Sequence, residues 1–201
     1  MSPARARTSN DDIVAGGRAI LEAAGLEAVT MQAVAAQVGV RAPSLYKRFP
    51  SRSALVAAII GSVLDDLERR IEPFGHDPDP ASGLRAVATT YRSFAQANPR
   101  AYELLFVSRS IADRPPVDRY AAAAKPLLDL AERLAGPDRA LEAARLMTAF
   151  ANGFIAMELS ASFQLGGDLD EAYRYGVEVL IEALRRGRRQ GAREASPAVA
   201  G

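Results

Sequence analysis

Apolar side chains recur at three- and four-residue spacing through nearly the whole chain, and the pattern stops only where glycine and proline cluster. No run of β-branched residues alternates with polar ones between turn signals, so the chain is expected to be all-α. The breaks divide it into about nine helices. The first runs from Asp11 to Ala24, capped by Ser9 or Asn10 and stopped by Gly25. The second follows Thr30 and ends at Gly39, and the third covers Arg41 to Phe49 with Pro43 in its first turn. The fourth starts after Ser51 and ends before the Pro73 to Pro80 run, which reads as a loop. Further helices are expected over Ala81–Ala97, Pro99–Ser110, Val117–Leu134 with a kink at Pro126, Asp138–Gln164, and from an Asp168 cap to Arg186.

Charge is distributed unevenly. The whole chain has 25 basic and 24 acidic side chains, but up to Ile60 there are seven bases against four acids. That tilt suits a nucleic-acid partner in the first part of the chain. No cysteine is present, which excludes a disulfide framework, a thiolate nucleophile and a cysteine zinc site. The only histidine, His76, lies in the proline-rich loop, so no catalytic residues, metal site or cofactor are expected. No segment is long and apolar enough for a leader or a bilayer span, and a cytoplasmic protein without membrane contact is expected.

One segment carries chemistry: TMQAVAAQVGVRAPSLYKRFPSRSAL, Thr30 to Leu55. Two short helices meet at a glycine turn, and the second opens on Arg41, Ala42, Pro43 and Ser44, residues able to approach base edges in a groove. Leu45 and Phe49, four apart, face inward, leaving Tyr46 and Lys47 for the DNA backbone. Thr30, Ser51 and Arg52 stand at helix N-termini, where phosphates are favoured. Arg5 and Arg7 are candidates for a minor groove or the backbone. Alone, Tyr46-Lys47-Arg48 reads as a solvated face; together with the caps, the turn and Pro43 it reads as a helix-turn-helix.

Thr30, Ala35, Gly39, Val40, Leu45, Tyr46, Phe49, Arg52 and Leu55 resemble the head of the TetR family of regulators. The resemblance covers Asp11 to Ile60. It implies a three-helix DNA-binding head followed by a larger helical dimerisation and ligand-binding domain. It also implies phosphate contacts from Tyr46 and Arg52, and base-facing roles for Thr30, Gln32, Arg41, Ala42, Pro43, Ser44 and Lys47. Domains are expected at residues 1–55 for the head, 56–190 for the sensor, and 191–201 for a disordered tail. The stretches YRSFAQANPRAYELLF and FANGFIAMELSASF resemble a subgroup with a Trp/His-Gly signature on its penultimate helix. Here Thr148 stands in place of the tryptophan and Asn152-Gly153 in place of His-Gly.

Small residues Ala149, Gly153, Ala156 and Ser160 form a stripe on the eighth helix, and the ninth offers Val177, Leu180, Ile181 and Leu184. The resemblance makes these a four-helix homodimer interface, the alternative being that both stripes serve the internal core. Tyr91, Phe94, Tyr102, Phe106, Tyr120, Phe150 and Phe154 are candidates for an aromatic pocket, against the alternative that they are plain core. Arg145 and Glu158, charged within an apolar helix, are expected to pair with each other or with neighbours. The function expected is a ligand-responsive repressor: a homodimer on double-stranded, inverted-repeat operator DNA, released by a largely apolar small molecule. A helical adaptor without DNA binding explains the amphipathic helices equally well, but not the short capped pair.

Overall fold

In the computed structural model, residues 8–106 and 114–194 are described, with side chains up to residue 189. Among them are nine α-helices and no strand: α1 Asn10–Ala24, α2 Met31–Gln37, α3 Ala42–Tyr46, α4 Arg52–Gly75, α5 Pro80–Ala97, α6 Pro99–Phe106, α7 Val117–Ala135, α8 Ala140–Leu159 and α9 Leu169–Glu194. Two compact units emerge. The first comprises residues 1–66 and 97–120, the second residues 67–96 and 121–201, so α4 contributes to both.

Local chemistry explains most boundaries. Ser9 caps α1 through a reciprocal box: its hydroxyl accepts from the Asp12 N–H at 3.0 Å, and the Asp12 carboxylate accepts from the Ser9 N–H at 2.7 Å. Thr30 caps α2 by accepting from the Ala33 N–H at 3.1 Å, and Ser51 caps α4 by accepting from the Ala54 N–H at 3.0 Å. Asp168 accepts from the N–H groups of Asp170 and Glu171 at the start of α9.

Four expected ends shift. Helix α4 passes through Pro73 and stops at Gly75, leaving only residues 76–79 as a loop. Proline so near a C-terminus removes one hydrogen bond from the last turns instead of breaking a helix interior. Helix α3 stops at Tyr46, with Lys47 and Arg48 in a turn, while α9 continues beyond Arg186 to Glu194. The frayed tail expected from 191 thus begins inside α9, and residues 195–201 lie outside the described residues. The expected end of α6 at Ser110 and the Arg5 and Arg7 positions also lie outside them.

Helix α8 ends at Leu159, five residues before Gln164, because Ala161 takes a left-handed conformation with φ 51°. The Ser162 N–H then donates to the Met157 carbonyl and the Ala161 N–H to the Glu158 carbonyl, the paired bonds of a Schellman stop. A left-handed alanine is strained by its Cβ. Ala161→Gly should therefore stabilise the protein by about 0.5–1 kcal/mol in urea titration; a destabilised variant would show that the strain is absent.

Candidate nucleic-acid interface

The head belongs to the first unit. Helix α1 packs on α2, and α2 on α3. Ile13, Leu21, Val34, Leu45 and Phe49 are buried beside Leu55, Val56 and Ile59 of α4. Gly39 makes the tight link between α2 and α3 with φ 69°, a conformation that few other residues adopt without cost.

Leu45 has no exposed surface and Phe49 is 8% exposed, which anchors α3 along one side. Its other side faces solvent. Arg41, Pro43, Ser44, Tyr46 and Lys47 are exposed and Ala42 is half-buried, while Thr30 and Gln32 are exposed at the start of neighbouring α2. These positions form a short solvent-facing ridge of small, polar and basic groups.

Arg52 behaves differently from the expected phosphate clamp. Its Nε donates to the Val29 carbonyl at 2.7 Å and its Nη2 to the Leu26 carbonyl at 2.6 Å. The turn between α1 and α2 ends in carbonyls that neither helix fully uses, and a guanidinium fork satisfies two of them. Arg52 therefore braces the start of α2. Arg48 donates to the Thr8 carbonyl at 2.5 Å and ties the chain before α1 to the turn after α3.

Two stretches of the chain each match a family model. Residues 13–59 match bacterial regulatory proteins of the tetR family, and residues 84–180 match the tetracyclin repressor-like C-terminal domain. The chain belongs to the TetR family. A helix-turn-helix transcriptional regulator of Mycobacterium tuberculosis is 31% identical over 97 residues, which are 48% of this chain and 44% of that protein. The match thus spans under half the length of that relative. A protein from Rhodococcus sp. RHA1 superposes with a TM-score of 0.77 at 19% identity, covering 92% of this chain and all of its own. A TetR variant from Acinetobacter baumannii, solved in complex with minocycline, has a TM-score of 0.68 at 19% identity, covering 90% and 99%. Both show a shared fold. TetR membership places the chain among regulators and not among enzymes.

The second unit of this TetR-family chain holds the other candidate residues. Phe150 and Phe154 join Tyr173 and Phe163 in one aromatic cluster, with ring centroids 4.8–6.0 Å apart. Gly176 makes room for it: a Cβ there would lie 2.2 Å from the Phe150 ring. Tyr91 donates its hydroxyl proton to Asn152 at 2.7 Å, and Phe94 is buried beneath Arg70. Tyr102, Phe106 and Tyr120 belong to the first unit, so the seven aromatics divide between the two units; Phe106 is 52% exposed.

Ala149, Gly153, Ala156 and Ser160 are exposed along α8. On α9 the expected interface residues turn out to be mostly core: Val177 and Ile181 are buried, and Leu184 packs on an alanine cluster of α7 and α8, with Leu180 half-buried. The solvent-facing apolar residues of α9 are instead Tyr175 and Val179, at 71% and 47% exposed. Both stripes of α9 are apolar, and helical spacing alone does not rank them.

Sequence reading missed Arg92. It is the one buried charged side chain among the described residues, held by Glu158 through two bonds of 2.8 and 2.6 Å and by Asp170 at 2.8 Å. Its guanidinium also lies 5.0 Å from the Tyr173 ring and 5.6 Å from that of Phe154. Glu158 thus pairs with α5, not with Arg145.

The hydrogen bonds from Arg92 hold the Glu158 carboxyl below its ordinary value of 4.5, against the opposing effect of burial and with help from Gln96. A carboxylate depressed in the folded state contributes stability that is present above its unfolded value and lost as pH falls through the folded one. The stability advantage of the native protein over Glu158→Gln should therefore hold at neutral pH and shrink below about pH 4.5 in denaturant titrations. A gap independent of pH would mean that the ion pair contributes nothing.

Proposed function

We propose that the chain is a homodimeric transcriptional repressor that reads an inverted-repeat operator and leaves it when a largely apolar small molecule binds the larger unit. The solvent-facing ridge of α3 carries this reading, since a helix anchored by Leu45 and Phe49 presents Arg41, Ala42, Pro43 and Ser44 to a groove. Tyr46 and Lys47 contact phosphates, Thr30 and Gln32 approach the neighbouring backbone and base edges, and Arg52 holds α2 in place for them. Residues 1–55 serve as the reading head and 56–190 as the sensor, working in the cytoplasm beside the chromosome. No described helix is long and apolar enough to cross a membrane.

The exposed α8 stripe of Ala149, Gly153, Ala156 and Ser160, with Tyr175 and Val179 on the adjoining α9, supports self-association. Small residues let two helices approach closely, and large apolar ones exposed beside them need cover. Pairing of two copies sets the recognition helices about 34–36 Å apart, one turn of duplex. The aromatic cluster of Phe150, Phe154, Phe163 and Tyr173 supports an apolar effector, and the minocycline bound by a protein of similar fold supports a small-molecule one. Because α4 contributes residues to both units, it is the element through which effector binding changes head spacing.

In DNA-binding titrations, Lys47→Ala should weaken binding to every sequence and flatten the logarithmic salt slope by about 1, whereas Ser44→Ala should alter sequence preference. Equal affinity of the native protein for all duplexes would refute direct readout. Light scattering should give a dimer at micromolar concentration and a monomer for Gly153→Arg combined with Val179→Glu. A native monomer would remove the operator-spacing argument.

A further inference from the structure

Basic side chains crowd one cleft of the second unit. The last turn of α7, the second half of α9 and the start of α5 border an open cleft of about 430 Å³, lined by Arg133, Arg185, Arg188 and Arg189 with Leu134, Asp79 and Pro80. Elsewhere in this unit the arginines of α5 and α9 sit opposite carboxylates: Arg85 on Glu178, Arg92 on Glu158 and Asp170, Arg186 on Glu182. Here the balance fails.

Asp79, the one carboxylate in the lining, is already committed. It accepts from the Ala81 and Ser82 N–H groups at the start of α5, and faces Arg85 at 4.0 Å and Arg185 at 3.3 Å. Those N–H groups and arginines hold its carboxyl below the ordinary value, so it stays ionised and takes no further partner. Asp77 spends one oxygen on the Asp79 N–H, and Glu182 is shared among Arg185, Arg186 and Arg189. In the lining itself four arginines thus stand against one carboxylate.

The cleft is also preformed. The Arg133 guanidinium donates to the carbonyls of Gly75, Asp77 and Pro78, which fixes it as a wall. Arg188 donates one N–H to the Arg133 carbonyl, leaving four on its fork. Arg185 spends one N–H on Asp79, and Arg189 is exposed at the rim. Held guanidinium forks in excess of local carboxylate match the paired oxygens of phosphate or carboxylate groups.

We propose that this cleft binds a compact oxyanion carrying two or more negative charges. The anion neutralises the crowded arginines and bridges α9 to the wall made by Arg133. Its chemistry is shared by phosphate-bearing and polycarboxylate metabolites.

Isothermal titration of the full chain with inorganic pyrophosphate and, separately, with citrate tests this. At least one probe should bind one equivalent per chain, more weakly as salt is raised. Arg185→Gln combined with Arg189→Gln should weaken it at least tenfold without changing the helical circular-dichroism spectrum, because Arg189 is exposed and glutamine at 185 can still donate to Asp79. Pyrophosphate binding alone assigns a phosphate ligand, citrate alone a polycarboxylate. Lys47→Ala, in the head, should leave the binding unchanged. No heat with either probe, equal affinity in the arginine variant, or loss of binding in Lys47→Ala would overturn the proposal; none of these outcomes bears on operator recognition.

Discussion

The burial of Leu45 and Phe49 decides what α3 can do. A five-residue helix has too few internal hydrogen bonds to persist alone, so its geometry comes from the side chains it inserts into the head. With those two in the core, the remaining positions have no freedom to turn inward. Ser44 and Lys47 are exposed because Leu45 is not. Removing the Leu45 side chain to alanine would cost about 2–5 kcal/mol and, before that, the orientation of the ridge.

The same head shows how polar groups support an apolar core. Arg18 of α1 bonds Asp66 at 2.9 Å and Asn98 at 3.3 Å, while Glu22 accepts from the Ala101 N–H at 2.7 Å and so caps α6. Arg52 and Arg48 do comparable work at the two ends of the α2–α3 pair. Among the described residues, the basic side chains of this head therefore fall into two sets, those that bond backbone carbonyls and carboxylates inside the first unit and those, Arg41 and Lys47, that stand exposed. Net charge counts both sets alike, although only the second is available to a phosphate backbone.

Features governed by neighbouring residues were legible in the sequence. Thr30, Gly39 and Ser51 act within a few positions of themselves, so the short helix pair could be placed before any tertiary contact was known. Features set by distant partners were not. Val177 and Tyr175 both sit on apolar stripes of α9, and only the packing of α8 selects the one that is buried. Helix α8 ends at an alanine in a conformation usually given to glycine, so no residue type announced the stop. Arg92 occupies a position that reads as a polar face until Glu158 and Asp170, more than sixty residues away, enclose it.

Arg92 has a further consequence for the second unit. Removing its carboxylate partners would leave a buried cation, which costs far more than an exposed ion pair contributes. Its guanidinium joins α5 to the end of α8 and the start of α9, on the faces of Phe154 and Tyr173. A ligand entering that aromatic cluster would have to keep the cation neutralised or replace its ring contacts. Shape and charge in this part of the unit are therefore coupled: a displacement of either ring alters the environment of the buried charge that bridges the three helices, and they cannot separate there without exposing or stranding it.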